Sequence, residues 1–269
     1  MKSFFALLLF GILLHVDRSL GQSQSYQLPG TYSFDYEVEQ VFVSTRSTTD
    51  TSVMHFFYTK SGDYAAAGMN RKANMRDSLF IILTRDGMCV IFNEHHKNIT
   101  IINIRKLMSD LSGITKWIRM DSLIASLRKK TDSREIKSAK TGKSKLVGGY
   151  TTEEYSVSEN GNHKGSVWCA RVDFNSPGDY ILGAVGGNFL KMMNGRATDR
   201  PLFQALMQPK TLITDIDMLD STGGHRMNMH TVSINQIPTT ISTSGYVVNN
   251  YSNMTIPEIF QAEMKKRHN

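Results

Sequence analysis

Several side chains have the types and spacing that catalysis or phosphate binding requires. The first group is a lysine-rich segment around Gly142. Residues 140–144, Lys-Thr-Gly-Lys-Ser, resemble the end of a phosphate-binding loop. That loop also requires a glycine five residues before Gly142, where this chain has Lys137. Ser126 and Lys129 have the Ser-x-x-Lys spacing of penicillin-recognising enzymes, but they lie too close to the Lys-Thr-Gly run, and no Ser-Asp-Asn separates them. Neither pattern therefore predicts nucleotide binding or acyl transfer.

Histidines and cysteines are too few and too widely spaced for a metal centre. Residues 94–96, Glu-His-His, do not form the His-Glu-x-x-His motif of zinc enzymes. His225 and His230 are five residues apart, which places them on opposite faces of a strand. Cys89 and Cys169 fall in predicted strands several places apart in the sheet, beyond disulfide distance, so both are predicted to be free and buried. We expect no metal, no cofactor and no enzymatic activity.

The first residues of the chain resemble an export signal. Lys2 is followed by an apolar run from Phe4 to Val16, and Ser19-Leu20-Gly21 offers small residues for cleavage. The run is shorter than the ~20 residues of a membrane-spanning helix. No cysteine lies near the cleavage site for lipid attachment. We therefore predict a signal peptide over residues 1–21, a single domain over 22–269, and a periplasmic or secreted location.

The body of the chain has the pattern of an antiparallel sheet with a few helices, an α+β fold. Apolar and polar residues alternate from Tyr32 to Val38, as in a strand with one buried face. Hairpins are predicted around Asp86-Gly87, Asn160-Gly161 and Thr222-Gly223-Gly224, with a last strand over Ile237 to Val248. Helical spacing is found over residues 107–127 and in parts of 180–207, and a capping box at Thr255 begins a C-terminal helix.

Two motifs carry a resemblance to a known family. Residues 140–150 contain Thr-Gly-x-x-Lys and end in Gly-Gly-Tyr, and the hairpin that follows has Val167-Trp168 on its second strand. The segment from Gln236 to Tyr246 is similar to the family's final strand. The chain thus resembles an exported, Bacteroidetes-type family of unknown function, although Thr152 stands where relatives often carry cysteine. The resemblance implies a curved half-barrel like that of the lipoprotein carriers LolA and LolB, with helices packed against its concave face and space between for acyl chains.

Methionines and aromatic residues are the candidates for lining such a cavity. The chain has 15 methionines, whose flexible thioethers suit variable apolar partners. The alternative is that these side chains simply fill the core. The candidate ligand-binding residues are Tyr32, Phe34, Tyr36, Phe56, Met192, Met227 and Met229.

Positive charge is concentrated between Leu127 and Lys145. This segment has eight basic and two acidic residues, within a chain of formal net charge +7. One interpretation is a patch that faces an anionic membrane surface, and the other is a solvated loop. The candidate membrane-surface residues are Lys129, Lys130, Lys137 and Lys140. Nucleic acid is a poor partner for an exported protein.

These observations leave three hypotheses about function. The first is a non-catalytic protein that binds a lipid or other apolar ligand in a half-barrel cavity. The second is a cell-envelope interaction or scaffold protein with a filled core and no small ligand. The third is a hydrolase with an unrecognised site, which a cleft containing histidines and carboxylates would favour. The oligomeric state does not follow from the sequence.

Overall fold

The computed structural model describes residues 26–44, 50–70, 79–107, 110, 136–176, 201–206, 208–219 and 226–268. The fold is α+β, as predicted: a large, curved, mostly antiparallel sheet of twelve strands accompanies a small sheet of two strands and short helices. The elements are β1 Thr31–Phe34, β2 Tyr36–Ser44, β3 Asp50–Tyr58, β4 Tyr64–Asn70, β5 Leu79–Thr84, β6 Met88–Asn93, β7 Asn98–Asn103, β8 Ile136–Val147, β9 Tyr150–Glu159, β10 Asn162–Arg171, α1 Pro201–Leu206, β11 Thr211–Leu219, β12 Arg226–Asn235, β13 Thr239–Ser242, β14 Val247–Asn250 and α2 Ile256–His268.

The predicted hairpins are formed where turn residues favour them. β5 pairs with β6 across Asp86-Gly87, and Gly87 has a φ of 90°. β9 pairs with β10 across Asn160-Gly161, whose φ angles of 51° and 80° are those of a tight hairpin turn. β11 pairs with β12, although the residues of their turn lie outside the described part of the chain.

The order of strands in the large sheet is β14-β7-β6-β5-β4-β3-β2-β12-β11-β10-β9-β8. Cys89 on β6 and Cys169 on β10 are therefore far apart, and both are free thiols, as predicted; Cys169 is buried, as predicted, whereas Cys89 is only partly buried. β14 runs parallel to β7, an exception to the antiparallel pairing that the hairpins imply. No hairpin joins β14 to β7, so turn chemistry does not set its direction.

Two strands that the sequence presents as continuous are divided between the two sheets. The alternating run from Tyr32 to Val38 breaks at Asp35, so that β1 pairs with β13 in the small sheet while β2 belongs to the large one. The carboxylate of Asp35 accepts a hydrogen bond from the Lys60 backbone NH at 2.7 Å, which stabilises the break. The predicted last strand is likewise divided into β13 and β14. The prediction of one strand was wrong in both places.

The basic segment is partly a strand. Residues 136–147 form β8, the last strand of the large sheet, so the interpretation of this part as a solvated loop was wrong. Pairing with β9 along nearly the whole strand overrides its polar composition. Strand β4 was not predicted, because its Ala-Ala-Ala-Gly sequence has low strand propensity.

Helices are few among the described residues. The predicted helix over 107–127 and most of 180–207 lie outside the described part, as does the predicted signal peptide. α1 packs against β8, β10 and β11. α2 begins as predicted, with the Thr255 backbone NH donating to Glu258 Oε2 at 2.7 Å. Nowhere in the described residues is there a helix long and apolar enough to cross a membrane.

Candidate functional site

Two adjoining open hollows lie on one face of the large sheet, across the strands from β8 to β12. Their volumes are about 460 Å³ and about 320 Å³, and they share Ser166 and Asp217 as lining residues. We call the two together the trough. Its main polar and aromatic residues are Lys143, Lys145, Glu154, Trp168, Asp215 and Asp217.

Alternation along the strands places polar side chains in the trough and apolar ones behind it. Trp168 is the partner of Asp215 in the β10–β11 pairing, and Asp215 is the partner of His230 in the β11–β12 pairing, so these three side chains share a face. Val167 and Ile216 are partners on the opposite face, in an apolar cluster that α1 covers. The two-residue period of a strand thus separates the site from the core.

Each carboxylate of the trough is paired with a basic side chain. Such pairs neutralise one another, so the trough presents alternating donors and acceptors instead of a surface of one sign. The pairs are Lys143–Glu154 at 3.2 Å, Lys145–Asp215 at 3.0 Å, and Arg226–Asp217, in which Arg226 Nε donates to Oδ1 at 2.6 Å and Nη2 donates to Oδ2.

Hydrogen bonds hold two of these carboxylates in the ionised form. The Thr141 hydroxyl donates to Glu154 Oε2 at 2.7 Å, and this bond, with the contact from Lys143, lowers the pKa of Glu154. The hydrogen bonds from Arg226 lower the pKa of Asp217. Burial opposes both changes but is outweighed, so both side chains are anions at neutral pH.

Lys145, Trp168 and Asp215 form the floor of the smaller hollow. Lys145 Nζ lies 4.6 Å from the centre of the Trp168 ring and 3.0 Å from Asp215 Oδ1. β9 and β10 separate β8 from β11, so this contact requires the sheet to curl towards the trough.

One oxygen of Asp215 is buried without a partner. Within the described part of the chain, Oδ2 of Asp215 accepts no hydrogen bond, although it is almost inaccessible to solvent. A buried acceptor left in this state has lost its hydration without compensation. Because solvent does not reach Oδ2, the part of this carboxylate that faces the smaller hollow is Oδ1, which Lys145 binds.

The trough also contains histidines and carboxylates, the feature that would favour a hydrolase. Ser156 Oγ lies 3.2 Å from His163 Nδ1. Asp217 acts electrostatically on this pair, but both of its oxygens are engaged by Arg226 and are not available to orient the imidazole. In the described residues, no group of three or more His, Cys, Asp or Glu side chains is arranged to hold a metal ion.

The structure separates the three aromatic residues at the start of the predicted cavity. Tyr32 and Phe34 on β1 are 1% and 2% exposed, in a cluster with Tyr64 and Phe92 between the small and large sheets. Tyr36 on β2 belongs to a different cluster. These side chains do not converge on one hollow among the described residues.

The other candidate residues are also dispersed. Phe56 borders the cluster that contains Tyr36, while Met227 and Met229 on β12 pair with Met218 and Ile216. Met229 also borders the smaller hollow of the trough. Met192 lies outside the described residues.

The basic residues proposed for a membrane surface do not share a face in β8. Lys137 pairs with Ser158 and Lys140 with Tyr155, so the two lysines lie on opposite faces of the strand. Lys140 Nζ is also bound to Glu153 Oε1 at 2.6 Å. Lys129 and Lys130 lie outside the described residues, and the membrane-surface role of the four lysines stays a prediction.

Sequence analysis did not predict the trough. The signal was present, since Asp215 and Asp217 on β11 and Asn228 and His230 on β12 alternate with apolar residues. Trp168 was noticed only as part of a motif. The sequence did not indicate that β8 is a strand, or that its side chains reach those of β11, three strands away in the sheet, and complete the trough.

Comparisons with known proteins give low similarities. No protein-family model and no curated protein matches the chain. An uncharacterised conserved protein from Thermus thermophilus is similar in structure, with 6% identity, a TM-score of 0.38, and coverage of 80% of this chain and 90% of the other.

Two further solved structures are similar at the same level. One is Pseudomonas aeruginosa MucB in its complex with MucA, with 10% identity, a TM-score of 0.35, and 77% of this chain covered; the chain spans about half (52%) of MucB. The other is a putative outer membrane lipoprotein-sorting protein domain from Vibrio parahaemolyticus, with 5% identity, a TM-score of 0.28, and coverage of 77% and 85%. This putative lipoprotein-sorting domain is among the structural neighbours, and no family model assigns the chain to a family.

Proposed function

We propose that the chain is an exported, non-catalytic binding protein whose partner docks in the trough of β8–β12. One observation carries this proposal. In the described apolar clusters the side chains pack against one another, whereas the trough holds several hundred cubic ångströms of open space lined mainly by charged and polar residues. Of the hypotheses from the sequence, this favours the interaction protein with a filled core.

The packing of the aromatic cluster around β1 supports this choice. The Phe34 ring centre lies 5.4 Å from that of Tyr64, 5.7 Å from that of Phe57 and 6.5 Å from that of Phe80. The Tyr26 and Tyr32 hydroxyls are 2.9 Å apart. Ring centres about 4.5–7 Å apart are in direct contact. An acyl chain would therefore have to displace these side chains in order to bind there.

The arrangement of charges in the trough supports a binding role. Ion pairs between strands, two between neighbouring strands and one between β8 and β11, fix the positions of the donors and acceptors before a partner arrives, so little ordering is needed on binding. The carboxylates of the described trough residues are bound by lysines and an arginine, so none of them is free to orient His163 beside Ser156.

The proposal is tested by retention of the purified protein on envelope fractions of its own host. A double variant, Asp217→Asn with Arg226→Gln, removes one ion pair of the trough. Both side chains are about half exposed, so the cost in stability is small. We expect retention to fall about tenfold. Glu37→Gln is the control, because it removes a contact with His55 on β2 and β3, away from the trough.

A second measurement addresses the carrier hypothesis directly. A fluorescent fatty-acid probe is titrated into the wild-type protein, and material from the host is extracted for lipid. Equal retention of the double variant and the wild type, or saturable probe binding that substitution of Phe56 abolishes, would overturn the proposal.

A further inference from the structure

The trough has the chemistry of a site for a neutral ligand. Each of its three carboxylates is paired with a basic group, and Lys164, which also lines the larger hollow, is paired with Glu159 at 3.5 Å. A phosphate, sulfate or carboxylate ligand would have to compete with the protein's own carboxylates for each cation, and a cationic ligand would have to compete with the protein's own cations. Attraction to either kind of ion is therefore weak.

A ligand rich in hydroxyl groups escapes this competition. Each hydroxyl both donates and accepts, so it can bind between a paired carboxylate and a paired cation without separating them. The smaller hollow offers such positions at Ser166, Asn228 and His230 around the Lys145–Asp215 pair.

Asp215 supplies an acceptor for such a ligand. Its side chain is 18% exposed and borders the smaller hollow, and because Oδ2 is buried, a ligand approaches the carboxylate at Oδ1. Lys145 Nζ lies 3.0 Å from the same oxygen. A ligand hydroxyl can donate to Oδ1 and accept from Lys145 Nζ without adding a charge.

Trp168 adds an apolar surface to this polar site. Its half-buried indole ring forms part of the floor of the smaller hollow, with Lys145 Nζ over the ring at 4.6 Å from its centre. Sugar rings combine hydroxyl edges with C–H faces, which suit a site of several polar groups around one aromatic ring.

We infer that the trough binds a neutral carbohydrate, with Asp215 accepting a ligand hydroxyl and Trp168 contacting a sugar ring. This rests on the proposed function, whose site it shares. The hollows of 460 and 320 Å³ fall in the ~300–1,000 Å³ range of small-molecule sites, and because they adjoin they suit a chain of linked sugars.

The test uses the purified mature chain and a panel of neutral oligosaccharides, namely the hexaoses of maltose, cellulose, xylan, mannan and chitin. Isothermal titration calorimetry measures binding, and inorganic phosphate is added as a competitor. We expect at least one oligosaccharide to bind saturably, with no displacement by phosphate. Asp215→Asn weakens binding about tenfold or more, because it removes an ionised acceptor. Trp168→Phe, which retains an aromatic ring, weakens it by a smaller factor.

Lys140→Gln is the matched control. This substitution removes the Lys140–Glu153 pair, which joins β8 and β9 on the face of the sheet opposite the trough. We expect the oligosaccharide affinity to stay within about twofold of the wild-type value. Thermal unfolding establishes whether each variant is folded. If the Asp215→Asn variant is unfolded, oligosaccharide binding by the Trp168→Phe variant decides between the outcomes.

The outcomes separate this inference from the proposed function. If no oligosaccharide binds, but the Asp217/Arg226 double variant still loses envelope retention, the carbohydrate inference is overturned and the trough remains the docking site. Binding that phosphate displaces, or that both trough variants leave unchanged, also overturns the inference. If retention and oligosaccharide binding are both insensitive to the trough, both proposals are wrong.

Discussion

Phe34→Ala distinguishes a filled core from a ligand cavity. Phe34 is 2% exposed, and its ring contacts Phe57, Tyr64 and Phe80. Removal of a fully buried phenylalanine side chain from a close-packed core costs about 3–5 kcal/mol of unfolding free energy, since the transfer energy is lost and a void remains. In a preformed cavity the side chain would have fewer partners, and the loss would be smaller.

The assay is urea unfolding followed by circular dichroism, with the denaturant slope compared between variants. Phe260→Ala is the control, because Phe260 on α2 is 71% exposed and its removal changes the stability by no more than about 0.5 kcal/mol. A wild-type stability above about 8 kcal/mol, within the ~5–15 kcal/mol usual for a domain, leaves the Phe34 variant sufficiently folded to measure.

A loss below about 1 kcal/mol for Phe34→Ala would refute the assignment of a filled core, because that value is typical of lightly packed positions. Fatty-acid probe binding by the wild type that Phe34→Ala abolishes would refute it independently. Probe binding that appears only in the variant would agree with it, since the void left by a deleted side chain accepts apolar molecules.

Three further predictions follow from single sites. Gly148→Ala destabilises the protein more than Gly149→Ala in thermal unfolding. Both residues have positive φ, but only at position 148 would the new Cβ lie 2.7 Å from a side chain of β12. Equal losses of thermal stability in the two variants would contradict this. Burial raises the pKa of Cys89 and of Cys169 to about 12, so a disulfide-exchange reagent modifies neither thiol until the protein is unfolded, and rapid native labelling would be the contrary result. The lowered pKa of Glu154 contributes stability that is present above its unfolded pKa and lost as the pH falls through its folded pKa, so Glu154→Gln flattens the decline of stability below about pH 5, and an unchanged acid limb would argue against this.

The regular parts of the fold were predictable because their causes are local. The Asp86-Gly87 and Asn160-Gly161 turns specify hairpins through the backbone angles that these residues adopt. The capping box at Thr255 specifies the start of α2 in the same way. Antiparallel pairing and the α+β class follow from such signals in sequence order.

The division of the chain between two sheets was not predictable from local pattern. Tyr32 and Tyr36 have the same alternation and the same burial, but they lie in different clusters because the chain changes sheet at Asp35. The hydrogen bond that stabilises this change comes from Lys60, 25 residues further along the chain. Alternation shows that a side chain is buried, and it does not show against which residues.

On the strands that it predicted, the sequence by itself determined which residues face solvent and which face the core, and it determined the hairpin turns between several neighbouring strands. Only the tertiary structure decided that β8 is a strand and that its sheet curls until Lys145 reaches Asp215 and Trp168. The physical reason is that a strand's period depends on its own residues, whereas curvature and strand order depend on contacts between residues 70 positions apart, such as Lys145 and Asp215. The core could therefore be anticipated in outline, and the trough could not.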